Sequence, residues 1–414
     1  MSNLQRVYNG STTKPYHWMR QALILLLILL GGAVSLRAQM GSKKFDSLSH
    51  QKDLRDLADS IFNRKAKPTV EGRFHNAPFP AAGYTQVTGI AAVFSDRVDF
   101  RGGDTTSKIT DILSSVTYSQ YNQIIAQSYA DIWLGHDKYN IIADWRYMKY
   151  PSTTFGLGGH TQYSDGYTID FNYVKIHTTV LRYIAPNLYL GLGYYYDYFF
   201  NIREVNPPPG VVTSFEKYGL SPTESGSGPV VRALYDSRDN PANAMKGLYA
   251  SVTYHPSFTA LGSQGNWGMM QIDLRKYFKL RDDGRNSLAI WQFDWLSVGG
   301  KTPYLLLPST GWDDQFNTGR GYIQGRFRGT DMEYLEAEDR FAISRNGLIG
   351  GVVFANVETF KKDLGAPQLN DFLPGWGAGI RIKLNKHSNT NICVDYGFGL
   401  QGSQGIQVNV GEVF

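Results

Sequence analysis

The side chains able to do chemistry in this 414-residue chain are carboxylates, guanidinium groups and eight histidines, and their spacing fits no familiar reaction centre. No Gly-x-Ser-x-Gly elbow occurs; Ser225-Gly226-Ser227-Gly228 has a different order and reads as loop. There is no His-Glu-x-x-His pair, and the histidines are too scattered for a metal-ligand pattern. Gly397-Phe398-Gly399-Leu400-Gln401-Gly402 fits Gly-x-Gly-x-x-Gly in form, but it bridges two strands with no helix after it. That helix is what would hold a phosphate. A loop histidine such as His160 beside a serine is the remaining route to catalysis, and a phospholipase assay tests it. The expectation is a non-enzyme without cofactor or metal.

Charge recurs instead at every second position. Glu336, Glu338 and Arg340 share one strand face, opposite Leu335, Ala337 and Phe341; in the next segment Asn356 and Glu358 oppose Val353, Ala355 and Val357. The same alternation runs through most of the chain after residue 72. Leu188, Leu190, Leu192, Tyr194, Tyr196 and Tyr198 oppose Tyr189, Gly191, Gly193, Tyr195 and Asp197. Trp376, Ala378, Ile380, Ile382 and Leu384 oppose Gly377, Gly379, Arg381 and Lys383, and Ile392, Val394, Tyr396, Phe398 and Leu400 oppose Cys393, Asp395, Gly397 and Gly399. Many runs are long enough to cross a bilayer when tilted.

The N-terminus gives these strands their direction. Ala22–Val34 is an apolar run preceded by Arg6, Lys14 and Arg20, with no acidic residue before it, and followed by small residues. This is the layout of a signal peptide over 1–38, cleaved after Ala38; the competing reading, a single membrane anchor, requires a longer run. Removing 1–38 leaves 37 basic against 36 acidic side chains, a formal charge of +1 rather than +5, which offers no electrostatic footprint for nucleic acid. The single Cys393 excludes an internal disulfide framework. In an exported chain, alternation places the apolar face toward lipid and the polar face toward a lumen, and such strands must close because an open edge in hydrocarbon leaves amides unpaired.

The pattern predicts a sixteen-stranded antiparallel transmembrane β-barrel over 72–414. Its segments are 72–84, 88–98, 108–119, 124–135, 140–150, 167–184, 188–203, 229–238, 248–260, 266–279, 286–298, 332–343, 347–359, 375–386, 390–400 and 405–414. Short turns, such as Ala185-Pro186-Asn187 and His387-Ser388-Asn389, fall on the periplasmic side, and long loops, including 151–166, 204–228, 299–331 and 360–374, on the other. Residues 39–71 form a short periplasmic segment with an amphipathic helix over 43–66 that carries Leu54, Leu57, Ala58, Ile61 and Phe62 on one face and stops at Pro68. This helix has four candidate roles: plugging a pore, docking on a partner, lying on a membrane, or packing on its own barrel.

Gly319-Arg320-Gly321-Tyr322-Ile323-Gln324-Gly325-Arg326-Phe327-Arg328, the run Tyr334 to Phe341, and Gly350-Gly351-Val352-Val353-Phe354 together resemble the C-terminal barrel of the bacterial surface antigen family, the superfamily of BamA and TamA. Asp236-Ser237-Arg238-Asp239-Asn240-Pro241 through Lys246-Gly247 is similar to the family's periplasmic turn, Tyr150-Pro151 through Gly158 to its early loop, and Val408 to Phe414 to its terminal strand. The resemblance covers 72–414. It implies that the loop 299–331, carrying Arg320, Gly321 and Tyr322, folds back into the lumen. There Arg320 would make a bidentate pair with Glu338, of the Glu338-x-Arg340-Phe341 pattern, backed by Asn356 or Glu358. Several departures stand out. Residues 39–71 leave no room for the POTRA domains of members that assemble or move proteins. Asn356 stands where an Asp commonly faces the loop Arg, Glu358 where Gly is usual, and Ala244 where a second Pro is usual.

The expected role is non-enzymatic work in outer-membrane biogenesis, either protein or lipid insertion or service as a subunit of an envelope complex; a passive pore or structural barrel is the alternative. Expected partners are outer-membrane lipids, the outer-membrane assembly machinery, and a second copy or envelope-complex subunits. Location is the Gram-negative outer membrane. Phe414, on the face of Ile406, Val408 and Val410, is expected to serve as the assembly signal or as an interfacial anchor. The locked loop either poises a weak seam between Pro78–Tyr84 and Gly405–Phe414 for partial opening or is a plug alone.

Overall fold

A computed structural model describes residues 51–61, 74–101, 107–207, 209–281, 286–362, 372–386 and 388–414. The signal peptide 1–38, the ends of the 43–66 helix including Phe62, and Pro68 lie outside the described residues. The chain runs through helix α1 (Leu54–Ile61) and then strands β1 (Phe74–Thr85), β2 (Gly89–Arg101), β3 (Ile109–Ser119), β4 (Ile124–Leu134), β5 (Tyr139–Lys149) and the three-residue β6 (Ser152–Thr154). β7 (Tyr167–Ala185) and β8 (Leu188–Val205) form the longest hairpin, followed by helix α2 (Ser214–Tyr218), β9 (Thr223–Asp236), β10 (Gly247–Ser257), β11 (Trp267–Lys279) and β12 (Asn286–Gly300). The last five strands are β13 (Asp331–Ala342), β14 (Ile349–Lys361), β15 (Leu373–Asn385), β16 (Thr390–Phe398) and β17 (Gln404–Val410).

Each long strand pairs antiparallel with the next, β5 with β7 across the small β6, giving the nearly closed sixteen-stranded barrel that the alternation predicts. The side chains sort as its geometry requires. Leu190, Leu192, Ile380 and Val394 are exposed on the outer wall, while Tyr189, Asp197, Arg381 and Asp395 are buried inside. Among the described residues no helix is long and apolar enough to cross a membrane; strands do the crossing.

Beyond shifts of one to three residues at other strand ends, three departures from the sequence reading stand out, each for a local reason. β9 begins at Thr223 rather than 229 because Thr223–Gly228, which lacks apolar alternation, still pairs with β8 as far as Phe200. Inside the barrel, Glu224 accepts the Leu305 N–H at 2.7 Å. β6 arises within the loop 151–166 by pairing with the start of β7. β17 stops at Val410, and Gly411, with φ of +95°, turns the chain inward. Phe414 therefore does not share the outer face of Ile406, Val408 and Val410. It is 5% exposed, stacked on Trp291 with ring centroids 5.2 Å apart, which also removes the interfacial-anchor reading.

The two edges of the sheet meet at β1 and β17. Among the described residues no strand register joins them, although Gln86 Nε2 donates to Gln404 O across the junction. β1 carries Pro78 and Pro80 opposite Asp96 and Phe94 of β2, and both lack an amide donor. At the end of the barrel that carries the short strand-to-strand turns, the β9–β10 turn reaches across the mouth. Asn240 Nδ2 donates to Ser388 O at 3.1 Å, and Glu412 N donates to Ala242 O at 3.2 Å.

Candidate functional site

The long connection between β12 and β13 occupies the lumen. It doubles back on itself through an isolated bridge between Ser309 and Arg328 and through Thr310 N donating to Phe327 O at 3.0 Å. Asp313 holds the far end in shape by accepting from the backbone of Asn317 and Thr318 and from the Thr318 hydroxyl. Four carbonyl and carboxylate acceptors at the near end take up donors that a buried loop would otherwise leave unpaired, namely the carbonyls of Tyr304, Leu305 and Leu307 toward Arg328 and Glu224 toward Leu305 N–H.

Arg320 lies at the centre. Its guanidinium forks onto Glu336 through Nε and Nη2, gives a further bond from Nη2 to Glu338 at 2.5 Å, and from Nη1 reaches Asp395 of β16 at 2.9 Å. It also stacks over Phe354, 3.8 Å from the ring centre. The bidentate partner is thus Glu336 rather than Glu338. Glu336 is two residues away on the same strand face, and the Tyr334 hydroxyl orients it. Asn356 does back the arginine, through Nδ2 donating to Arg320 O at 2.9 Å. Glu358 does not touch Arg320; it accepts from Thr310 Oγ1 at 2.9 Å, elsewhere on the same loop.

From Arg320 the pairs continue to the end of the chain. Arg340 binds Glu338 at 2.5 Å and donates to Phe414 O at 2.7 Å; Arg381 joins Asp395 at 2.5 Å to Glu412 at 2.7 Å. Three guanidinium groups and four carboxylates, all buried, therefore tie the loop to β13, β15, β16 and residues 412–414. Each charge has an opposite neighbour, the condition under which buried ions are tolerable.

Gly321 and Tyr322 fit the loop to the wall. Gly321 has φ of +108°, and a Cβ there would lie 2.4 Å from Phe398 O; a Cβ on Gly397 would in turn lie 2.6 Å from Gly321 N. The glycines of the lumenal face of β15 and β16 thus make room for the loop backbone. The same Gly397 opens the phosphate-like motif, so those glycines serve packing. Tyr322 donates to Pro374 O at 2.6 Å and its hydroxyl accepts the Leu400 N–H at 3.1 Å.

A second anchor lies on the opposite wall. Asp314 pairs with Lys175 of β7 at 2.7 Å, and Lys175 and Arg146 share Asp144 of β5. Between the anchors Asn317 reaches the last strand. Gln407 Nε2 and Asn409 Nδ2 donate to its Oδ1 at 2.9 and 3.0 Å, and its Nδ2 donates to Val413 O at 2.7 Å. The lumen also holds two pockets of about 80 and 70 Å³, the first bordered by Tyr195, Asp197, Trp267, Trp295 and Asp314. His177 contacts Asp197 there at 2.9 Å, whereas His160 is exposed on the loop 151–166. Among the described residues no group of three or more His, Cys, Asp or Glu is placed to hold a metal.

Sequence reasoning missed Asp395, Arg381 and Glu412 as partners and Asn317 as the link to β17. The first two were legible as lumen-facing charges on adjacent strands; Glu412 and Asn317 were not, because both depend on where irregular backbone goes.

The resemblance to solved structures follows from this geometry. Over 86% of its length the chain superimposes on 78% of BamA from Haemophilus ducreyi lacking POTRA domains 1–3, with a TM-score of 0.53 at 13% identity. CdiB from Escherichia coli matches over 84% of this chain and 64% of its own, with a TM-score of 0.55 at 10% identity. CdiB from Acinetobacter baumannii matches over 82% and 60%, with a TM-score of 0.52 at 13% identity. No family model and no curated protein matches the sequence. The chain has the barrel fold of BamA and CdiB.

Proposed function

We propose that this protein works without catalysis in outer-membrane biogenesis, assisting insertion of proteins or lipids or serving as a subunit of an envelope complex. The observation that carries this reading is the attachment of the lumenal loop to the free-edged last strand. Asn317 holds Gln407, Asn409 and Val413, while the Arg320 network holds Glu412 and Phe414 through Asp395, Glu338 and their arginines. A barrel needs no such connection merely to block its bore. The loop in this reading sets how readily β17 parts from β1, where among the described residues no ladder joins them and two prolines thin the amide donors. Hydrocarbon penalises an unpaired edge, so an incoming strand or lipid that covers it gains what the closed barrel leaves unsatisfied.

The protein is exported by its N-terminal signal to the outer membrane, where its partners are lipid, the assembly machinery and neighbouring envelope subunits or a second copy. Phe414 is read by that machinery before the chain end tucks inward. The test is a cysteine pair, Gln86→Cys with Gln404→Cys, in a Cys393→Ala background. Oxidation is expected to leave a folded barrel in the membrane but abolish its support of other outer-membrane proteins, with recovery on reduction. Full activity of the quantitatively crosslinked form would refute the opening seam.

A further inference from the structure

We infer that α1 is a membrane-surface anchor whose apolar stripe lies on the periplasmic leaflet of the outer membrane, beside the β13–β16 wall. The helix is fastened to the barrel by its polar end. Asp53 and Asp56 cap it reciprocally, each carboxylate accepting the other's backbone N–H at 2.9 and 3.0 Å. The same two carboxylates hold the β15–β16 turn: Lys386 N donates to Asp53 at 3.0 Å and Lys386 Nζ to Asp56 at 2.7 Å. Lys52 N donates to Asn346 O, in the β13–β14 turn, at 2.9 Å. Asp53 is buried in this joint.

The apolar stripe makes no comparable contact. Leu57 is 41% exposed and Ile61 69%, Ala58 is exposed, and no residue of the helix is buried. Leu54, at the tethered end, is half-buried, but beyond it the stripe is not packed on the barrel in the described turns. An eight-residue helix with a bare apolar face is marginal in water, so something covers it.

Two observations select lipid. The anchoring turn is flanked by Ile343 and Ile349, both exposed and on the lipid-facing parity of β13 and β14 with Leu335 and Val353, so α1 is tethered where the apolar belt of the barrel ends. Lys52 and Arg55 are exposed at the tethered start of the helix, where they are available to phosphate headgroups. The inference needs only a barrel in a membrane, and it stands or falls apart from the biogenesis reading.

The test uses the full chain in a Cys393→Ala background, reconstituted into phosphatidylethanolamine–phosphatidylglycerol vesicles. An environment-sensitive fluorophore is placed at Ile61→Cys or, on the flank of the helix, at Ser60→Cys. Nitroxide-labelled lipid is expected to quench the Ile61 probe several-fold more than the Ser60 probe, with blue-shifted emission, and Leu57→Asp is expected to abolish the difference. Folding of each variant is checked by heat-modifiability. Water-like emission without quenching would overturn the inference. So would shielding that rises with protein density rather than with lipid, since a second copy would then be the cover.

Discussion

At the scale of single residues, Arg320 organises the site because a guanidinium can serve three carboxylates in one plane. Arg320→Ala leaves Glu336, Glu338 and Asp395 without that counter-charge. Removing one partner of a buried pair costs about 3–5 kcal/mol, so the variant is expected to lose heat-modifiability on gels at lower temperature and to accumulate less in the outer membrane. Arg320→Lys is expected to restore little, since an ammonium cannot reproduce the fork onto Glu336. Wild-type behaviour of Arg320→Ala would mean that the loop is held by its other attachments. The residue types of this network were legible in advance, because alternation assigns Glu336, Glu338, Arg340, Arg381 and Asp395 to one surface. Their pairing was not. Choosing Glu336 over Glu338 as the forked partner depends on how far along the strand the loop sits, a matter of ångströms that spacing cannot give.

At the scale of elements, the loop and the wall are built for each other. Gly321→Ala places a methyl 2.4 Å from Phe398 O at a φ that side chains rarely adopt. The loop is expected to undock while the strands remain, read as new protease cleavage within 301–330 in intact vesicles; protection equal to wild type would contradict the close approach. The chain end is a second case. Deleting Phe414 is expected to reduce membrane insertion. Trp291→Ala removes the ring on which Phe414 stacks, costs about 3–5 kcal/mol of the folded barrel, and is expected to insert normally and melt earlier. Equal insertion defects in both variants would assign Phe414 a packing role alone. Strand positions were readable because a period of two survives in most of the sixteen segments. The inward bend at Gly411 was not, because nothing in the local pattern distinguishes a strand that ends at Val410 from one that continues to Phe414.

At the scale of the whole molecule, the loop is attached to opposite walls and spans the lumen between them, and the β9–β10 turn crosses below it. Steady large conductance in planar bilayers is therefore not expected, only silence or rare flicker. The quiet state is also expected to hold from about pH 8 to about pH 5. Desolvation inside the lumen would by itself raise the Asp314 carboxyl, but Lys175 and Arg146 hold it below its ordinary value of 3.8 although its side chain is half-exposed to the lumen. A carboxyl with a depressed folded pKa contributes fully above its unfolded value, and the contribution fades only as pH falls through the folded one. A stable open channel at neutral pH, or opening between these limits, would contradict the two-wall attachment.

What the sequence determined by itself is the barrel: the number of strands, their approximate ends, which face meets lipid, and which charges line the interior. Those properties are periodic and local, and the bilayer enforces them on every strand independently. The tertiary structure decided everything that depends on irregular backbone crossing the lumen. It placed Arg320 among carboxylates from two strands, joined Asn317 to β17, drew Phe414 inside, and pinned α1 by its acidic cap with its apolar stripe bare. Each of these contacts brings together residues far apart in the chain, and no repeat in the sequence encodes the distance between them.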